Sequence, residues 1–253
     1  MKKIASLLIL LLLLSCSSDD ESKTYNITLS FSHNWDGTPI TNSDFNTIKF
    51  TNANNNQLSI ERLRYLISDI KLESNNEVIN LEAYKLIDVS NNKNLSFSPS
   101  VSIPEGTYSE VSFTFGFNNE DNDTEDGYND LNVALFNVPS MLGGGYHYMQ
   151  LDGKFINSNN EEQGYNYHAI RAVDNPGTNP TFPQDTFFKV TLGNVIISKN
   201  TTLNIEMNVA EWFKNPHIWD LNALNQMLMP NSTAQIMMYN NGQNVFSLKP
   251  DTP

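Results

Sequence analysis

An all-β fold is what this sequence predicts: a single antiparallel β-sandwich with long loops and one or two short helices. Three observations carry that expectation. Short alternating or apolar runs recur along the chain, each bounded by Asn, Asp, Gly or Pro, the punctuation of strands and tight turns. Beyond the first residues, no apolar run reaches the roughly 18 residues that suggest a spanning helix, and neither heptads nor internal repeats are visible. The 253 residues, less a leader, suit one domain.

The chain opens with Lys2 and Lys3, an apolar run over residues 4–14, and then Ser15-Cys16. A basic start before a short apolar core is a secretory signal. Its end, Leu13-Leu14-Ser15-Cys16, has the form of a bacterial lipobox. Residues 1–15 are therefore expected to be removed and Cys16 lipidated, anchoring the protein in a membrane. Cys16 is the only cysteine, which excludes an intramolecular disulfide. Residues 16–23 are polar and acidic and read as a flexible tether. They resemble the acidic export signal of surface lipoproteins in Bacteroidetes-type bacteria. The expected location is the outer membrane, on its periplasmic or cell-surface face.

The sandwich domain is expected over residues 24–253. Ile27, Leu29 and Phe31 alternate with polar residues, as one face of a strand does. Further strands are expected over 63–72, 78–89, 108–117, 146–155, 165–172, 187–192, 203–209 and 234–239. Residues 157–160 form a hairpin turn. Residues 210–214 and 221–228 read as helical or irregular, with Pro230 as a stop signal. The longest loops are expected at 118–130 and at 174–185, the latter holding Pro176, Gly177, Pro180 and Pro183.

Charge narrows the function classes. The chain has 15 basic and 28 acidic residues, a net charge of −13. Losing Lys2 and Lys3 with the leader would leave −15. So acidic a protein repels phosphate backbones, so no nucleic-acid partner is expected. The acidic loop NNEDNDTEDGYND invites a calcium reading, but counting from Asp121 puts Gly127 seventh and Asn132 twelfth. An EF-hand needs its glycine sixth and a glutamate twelfth, so calcium is not expected and the loop reads as solvated. There is no GxSxG, GxxxxGK[ST], HExxH or GxGxxG. With Cys16 lipidated no thiol nucleophile remains, and the chain is not expected to be an enzyme.

Four histidines carry what chemistry there is. His33 lies in FSHNWDG, His147 in GYHYMQLDG, His168 in YNYHAIRA and His217 in NPHIWD. None is spaced as a helical metal pair, so any shared site must be assembled across strands. Each of the first three stands close to aromatic residues. That fits packed, hydrogen-bonded histidines, and it fits imidazole ligands for copper, zinc or iron in a dry site. On an extended strand His147, Met149 and Leu151 would share a face, as would Phe31, His33 and Trp35. Met227, Met229, Met237 and Met238 read as fillers of core gaps.

The segments FSHNWDGTPI, RLRYLISDIKL, PEGTYSEVSFTFGF, GGGYHYMQLDGKF, YNYHAIRA and EWFKNPHIWDL, in that order, resemble the MbnP-like family of copper-associated proteins over most of the length after Cys16. The resemblance implies a β-sandwich and a copper site built from histidines. His33, His147 and His168 fall in the matching segments and are the candidate ligands, expected to converge while His217 lies elsewhere. Met149 would be a fourth ligand or merely wall. In some members an oxidised tryptophan, a kynurenine made by a dihaem peroxidase-like partner, supplies a third ligand. Members tied to methanobactin uptake carry that tryptophan shortly before the Gly-Tyr, where this chain has Ser140-Met141-Leu142-Gly143-Gly144. Trp35 is then the only tryptophan placed to substitute, and Trp212 and Trp219 read as packing residues. A TonB-dependent transporter is the other implied partner.

The expected function is a non-catalytic lipoprotein that binds copper through histidines for uptake, storage or hand-over. The alternative is a sandwich module that binds a peptide or glycan on surface tyrosines and tryptophans. Metal content separates the two.

Overall fold

The structure, a computed structural model, describes residues 23–75, 77–124 and 127–249. The expected leader (residues 1–15), Cys16 and residues 17–22 of the expected tether lie outside the described residues. Two sheets face each other around one large apolar core. The larger contains β2 (Arg62–Glu73), β3 (Val78–Asp88), β4 (Glu110–Phe115), β5 (Met149–Ile156), β6 (Glu162–Ala169) and β7 (Phe188–Thr191). The smaller contains β1 (Ile27–Trp35), β8 (Thr201–Asn208) and β9 (Phe246–Leu248). The all-β sandwich expected from the sequence is the fold found. One pairing departs from the antiparallel rule: β1 and β8 run parallel, Ile27 opposite Thr201 through Asn34 opposite Asn208.

Strand β2 is the spine. Along one edge it pairs with β3, and its other edge is divided between β5 at the start and β4 at the end. The division follows from length: a strand of 12 residues is long enough for two shorter partners laid end to end. Asp69, at φ 49, takes a left-handed conformation where the β2–β4 register shifts. Some β-bulges use such a residue, and aspartate tolerates it better than most.

Side-chain alternation sorts the larger sheet into two faces. Leu63, Tyr65 and Ile67 of β2, Met149 and Leu151 of β5, and Tyr165 and Tyr167 of β6 face the smaller sheet and are buried in the main core. Arg62, Arg64, Gln150, Asp152, Asn166 and His168 alternate with them and face outward. That outward face is not left to solvent. Loop residues 117–124 and 127–147, with the short helices α1 (Asn119–Asn122) and α2 (Asn129–Val133), fold over it. They build a second small core from Leu66, Phe117, Leu131, Phe136 and Tyr146.

The expected strand at 234–239 is instead part of helix α3 (Ser232–Gly242). A run such as AQIMMY is apolar enough for either element, and periodicity over six residues cannot separate them. Asn231 decides locally, because its side chain accepts from the Ala234 amide as an N-cap. Pro230 thus precedes a helix rather than stopping one, and residues 221–228 form turns. Gly242 lets α3 dock: a Cβ there would stand 2.6 Å from the Phe188 ring.

Candidate metal centre

The chain reaches His147 through Gly143, Gly144 and Gly145, all at positive φ. At Gly145 a Cβ would lie 2.6 Å from the amide of Asn122, which is buried. Only glycine permits both that approach and that conformation. The Asn122 Oδ1 then accepts from the Tyr146 amide, fixing the residue before the histidine.

His147 is buried, and both its backbone amide and its ring Nδ1 lie 2.9 Å from the carbonyl oxygen of Phe136. A carbonyl only accepts, so Nδ1 carries the proton. The remaining nitrogen, Nε2, therefore has a bare lone pair. It is buried and has no hydrogen-bond partner. Arg64 holds the loop that offers this carbonyl. Its Nε donates to Gln150 Oε1 at 2.6 Å, its Nη1 donates to the Ala134 carbonyl at 2.8 Å, and its guanidinium lies 5.3 Å from the centre of the Phe136 ring.

His168 stands beside it on β6. The two rings meet edge to face at 84°, with centroids 5.2 Å apart. His168 Nε2 lies 2.7 Å from Asp152 Oδ1. Asp152 also accepts from Asn166 Nδ2 at 2.6 Å and pairs with Arg62. Burial pushes the Asp152 carboxyl up, but hydrogen bonds from His168, Arg62 and Asn166 outweigh it and hold it at about 2. An ionised carboxylate accepts the Nε2 proton and leaves Nδ1 of His168 as the bare nitrogen. Burial brings His147 down to about 4, so it is neutral at ordinary pH.

Two imidazoles, each held by an acceptor behind one ring nitrogen so that the other is left without a partner, form the arrangement found behind metal ligands. An Asp–His pair also serves hydrolases, but among the described residues no serine, threonine or cysteine is hydrogen-bonded to His168. Nor, among the described residues, do three His, Cys, Asp or Glu side chains cluster closely enough to hold a metal by themselves.

The three-histidine centre does not form. His33 lies on β1 in the smaller sheet, its Nε2 3.1 Å from the Tyr65 hydroxyl, on the inner face of the sandwich. His168 projects from the opposite face of the sheet that carries Tyr65. Met149 also faces inward, paired with Tyr65 and Ala169 and fully buried, so it is core and not a ligand of the pair. The chain bends at Tyr148, and the alternation that would have kept His147 and Met149 together is broken there. Trp35 stacks on Phe50 and donates to the Thr51 carbonyl at 3.1 Å. Trp35, Trp212 and Trp219 all belong to the main core, so none of the three tryptophans is beside the histidine pair. His217 lies apart, its Nε2 3.1 Å from Asn240 Nδ2.

Sequence reasoning missed Asp152, the Phe136 carbonyl and Arg64. Asp152 stood in the LDG segment beside a candidate ligand, and counting back across the 157–160 turn would have placed it diagonal to His168. Met227 was misassigned as a core filler: it is 79% exposed.

A profile of the MbnP family matches residues 24–237. Among solved structures, MbnP from Methylosinus trichosporium is similar, with a TM-score of 0.51 at 12% identity, over 78% of this chain and 80% of that chain. At that identity the likeness speaks for the fold. No curated protein matches the sequence.

Proposed function

The chain belongs to the MbnP family, and from that premise we propose that it is a non-catalytic protein that binds copper through His147 and His168, for uptake, storage or hand-over. One observation supports this above the others. His147 Nε2 is a buried nitrogen with a free lone pair and no partner, 5.2 Å ring to ring from a second histidine. Leaving a buried polar atom unmatched costs free energy unless a ligand meets it. Copper is suited to imidazole. The donors present fit it, and copper is here the cargo rather than a reagent.

The reading extends to an exported lipoprotein held to the outer membrane through Cys16, with a TonB-dependent transporter as the partner for hand-over. The dihaem peroxidase-like partner has less to support it, because no tryptophan stands at the pair for such a protein to oxidise.

The test is metal analysis of protein purified without a histidine tag, followed by copper titration of His147→Ala, His168→Ala and His217→Ala. The first two changes should each weaken binding strongly, and the third should leave it intact. Full copper binding by a His147→Ala/His168→Ala double variant would reject the site.

A further inference from the structure

Strand β1 has a break along one edge. Its other edge is taken up by β8 from Ile27 to Asn34. The broken edge is covered from its two ends by separate segments. Phe97 and Ser96 lie opposite Leu29 and Ser30, while Thr38 and Pro39 lie opposite Trp35 and Asn34. Where the two segments stop, each makes one last bond. The Phe31 N–H donates to the Leu95 carbonyl at 2.7 Å, and the Ile40 N–H donates to the His33 carbonyl at 2.9 Å. The return bonds are not made: among the described residues, the Phe31 carbonyl and the His33 N–H have no backbone partner on this edge. The N–H and C=O of one strand residue point to the same edge, so an acceptor and a donor both open into the break. Phe31 and His33 are each only 5% exposed, and unmatched backbone groups on such residues cost free energy. A cavity of about 460 Å³ lies at this place, with Phe31, His33, Ile40, Val89 and Leu95 in its wall. Its remaining lining is Pro, Ser, Thr and Asn, with no Asp, Glu, Lys or Arg. Burial holds His33 at about 4, so it too is uncharged at ordinary pH.

We propose that the break is a docking slot for an uncharged, extended peptide segment of another protein, which joins the edge of β1 through the Phe31 carbonyl and the His33 N–H and sets an apolar side chain against Ile40, Val89 and Leu95. Strand addition to a free sheet edge works in this way, the backbone supplying the hydrogen bonds and a pocket supplying the selectivity. An alkyl chain would fill the apolar wall but leave both backbone groups unmatched, whereas a peptide brings one N–H and one C=O to meet them. The uncharged wall selects an uncharged segment, because a charge carried into it would lose its water without gaining a partner. The slot is independent of the copper reading, since neither His147 nor His168 lines it.

The test is an amide NMR titration of the isotope-labelled full chain with the blocked peptide acetyl-Thr-Val-Thr-Val-Thr-amide. The His33 amide resonance should move downfield and saturate, with the other large shifts confined to residues 31–33, 40 and 89–95. The same peptide with its internal amides N-methylated keeps its side chains but cannot donate to the Phe31 carbonyl, and it should bind more weakly by on the order of tenfold. Leu95→Trp, which fills the cavity and leaves both backbone groups in place, should abolish the saturable shift. The N-methylated peptide requires no change to the protein, so the proposal stays testable even if Leu95→Trp fails to fold. A His33 amide that does not move at millimolar peptide, or equal binding of the two peptides, overturns the slot. So does undiminished binding by folded Leu95→Trp protein.

Discussion

His168 Nε2 and Asp152 Oδ1 lie 2.7 Å apart across the β5–β6 pair, and this contact decides which ring nitrogen of His168 is left without a protein partner. The two residues are not opposite each other. His168 pairs with Gln150, and Asp152 with Asn166, so the contact is a diagonal one along a single face of the sheet. With the carboxylate held ionised, the ring has one stable tautomer.

Asp152→Asn should therefore weaken copper binding about 10–100-fold, the range seen when the group orienting a metal-ligating histidine is removed. An amide can donate to Nε2 as well as accept from it, so the tautomer is no longer imposed. Copper titration of the variant checks this, and wild-type affinity would show that the contact does not orient a ligand.

Gly145→Ala should destabilise the fold by about 1–3 kcal/mol. The added Cβ would stand 2.6 Å from the Asn122 amide at φ 75, and Asn122 is buried with little freedom to swing aside. The denaturant midpoint should fall. Copper affinity should fall too, because the strain is applied two residues before His147. Gly144→Ala, where a Cβ would meet nothing within 4 Å, is the control for the backbone strain alone.

Metal-free protein should lose stability as pH drops from about 6.5 to 4. Burial lowers the pKa of His33 from 6.5 to about 4. The unfolded chain therefore binds the proton first, and stability falls through that window, then levels off below it. A shift of this size corresponds to at most about 3 kcal/mol. Burial lowers His147 to about 4 as well, so His33→Leu should remove about half of the pH dependence of the melting temperature over that window. An unchanged slope would show that His33 is not the residue responsible.

Cys16→Ala should move the protein out of the membrane fraction, since the lipobox reading puts the whole attachment on that residue. Fractionation followed by immunoblotting measures it, and undiminished membrane retention would refute that reading.

Much of the sandwich was legible because its strands report themselves locally. β1 and β8 alternate cleanly, and the Asn-rich turn at 157–160 gives the β5–β6 hairpin its register. The site was legible only in part. His147 and His168 were in view, but the bend at Tyr148 broke the strand alternation that had linked His147 to Met149. The Phe136 carbonyl that orients His147 lies eleven residues back in a loop, and a backbone oxygen has no sequence signature. Placing His33 at the site failed for a different reason. Whether a histidine points into a sandwich or away from it depends on which sheet its strand joins, and β1 joins a strand from the far end of the chain. The helix at 232–242 was misread because the six residues 234–239, five of them apolar, fit either period.

The parallel pairing of β1 with β8 also bears on when the protein can fold. Ile27 cannot find Thr201 until most of the chain is available, so the smaller sheet is the last to close and the core it covers stays open until then. Contacts of such sequence separation slow folding. The parallel junction therefore ties closure of the core to the arrival of residue 201 and those that follow it.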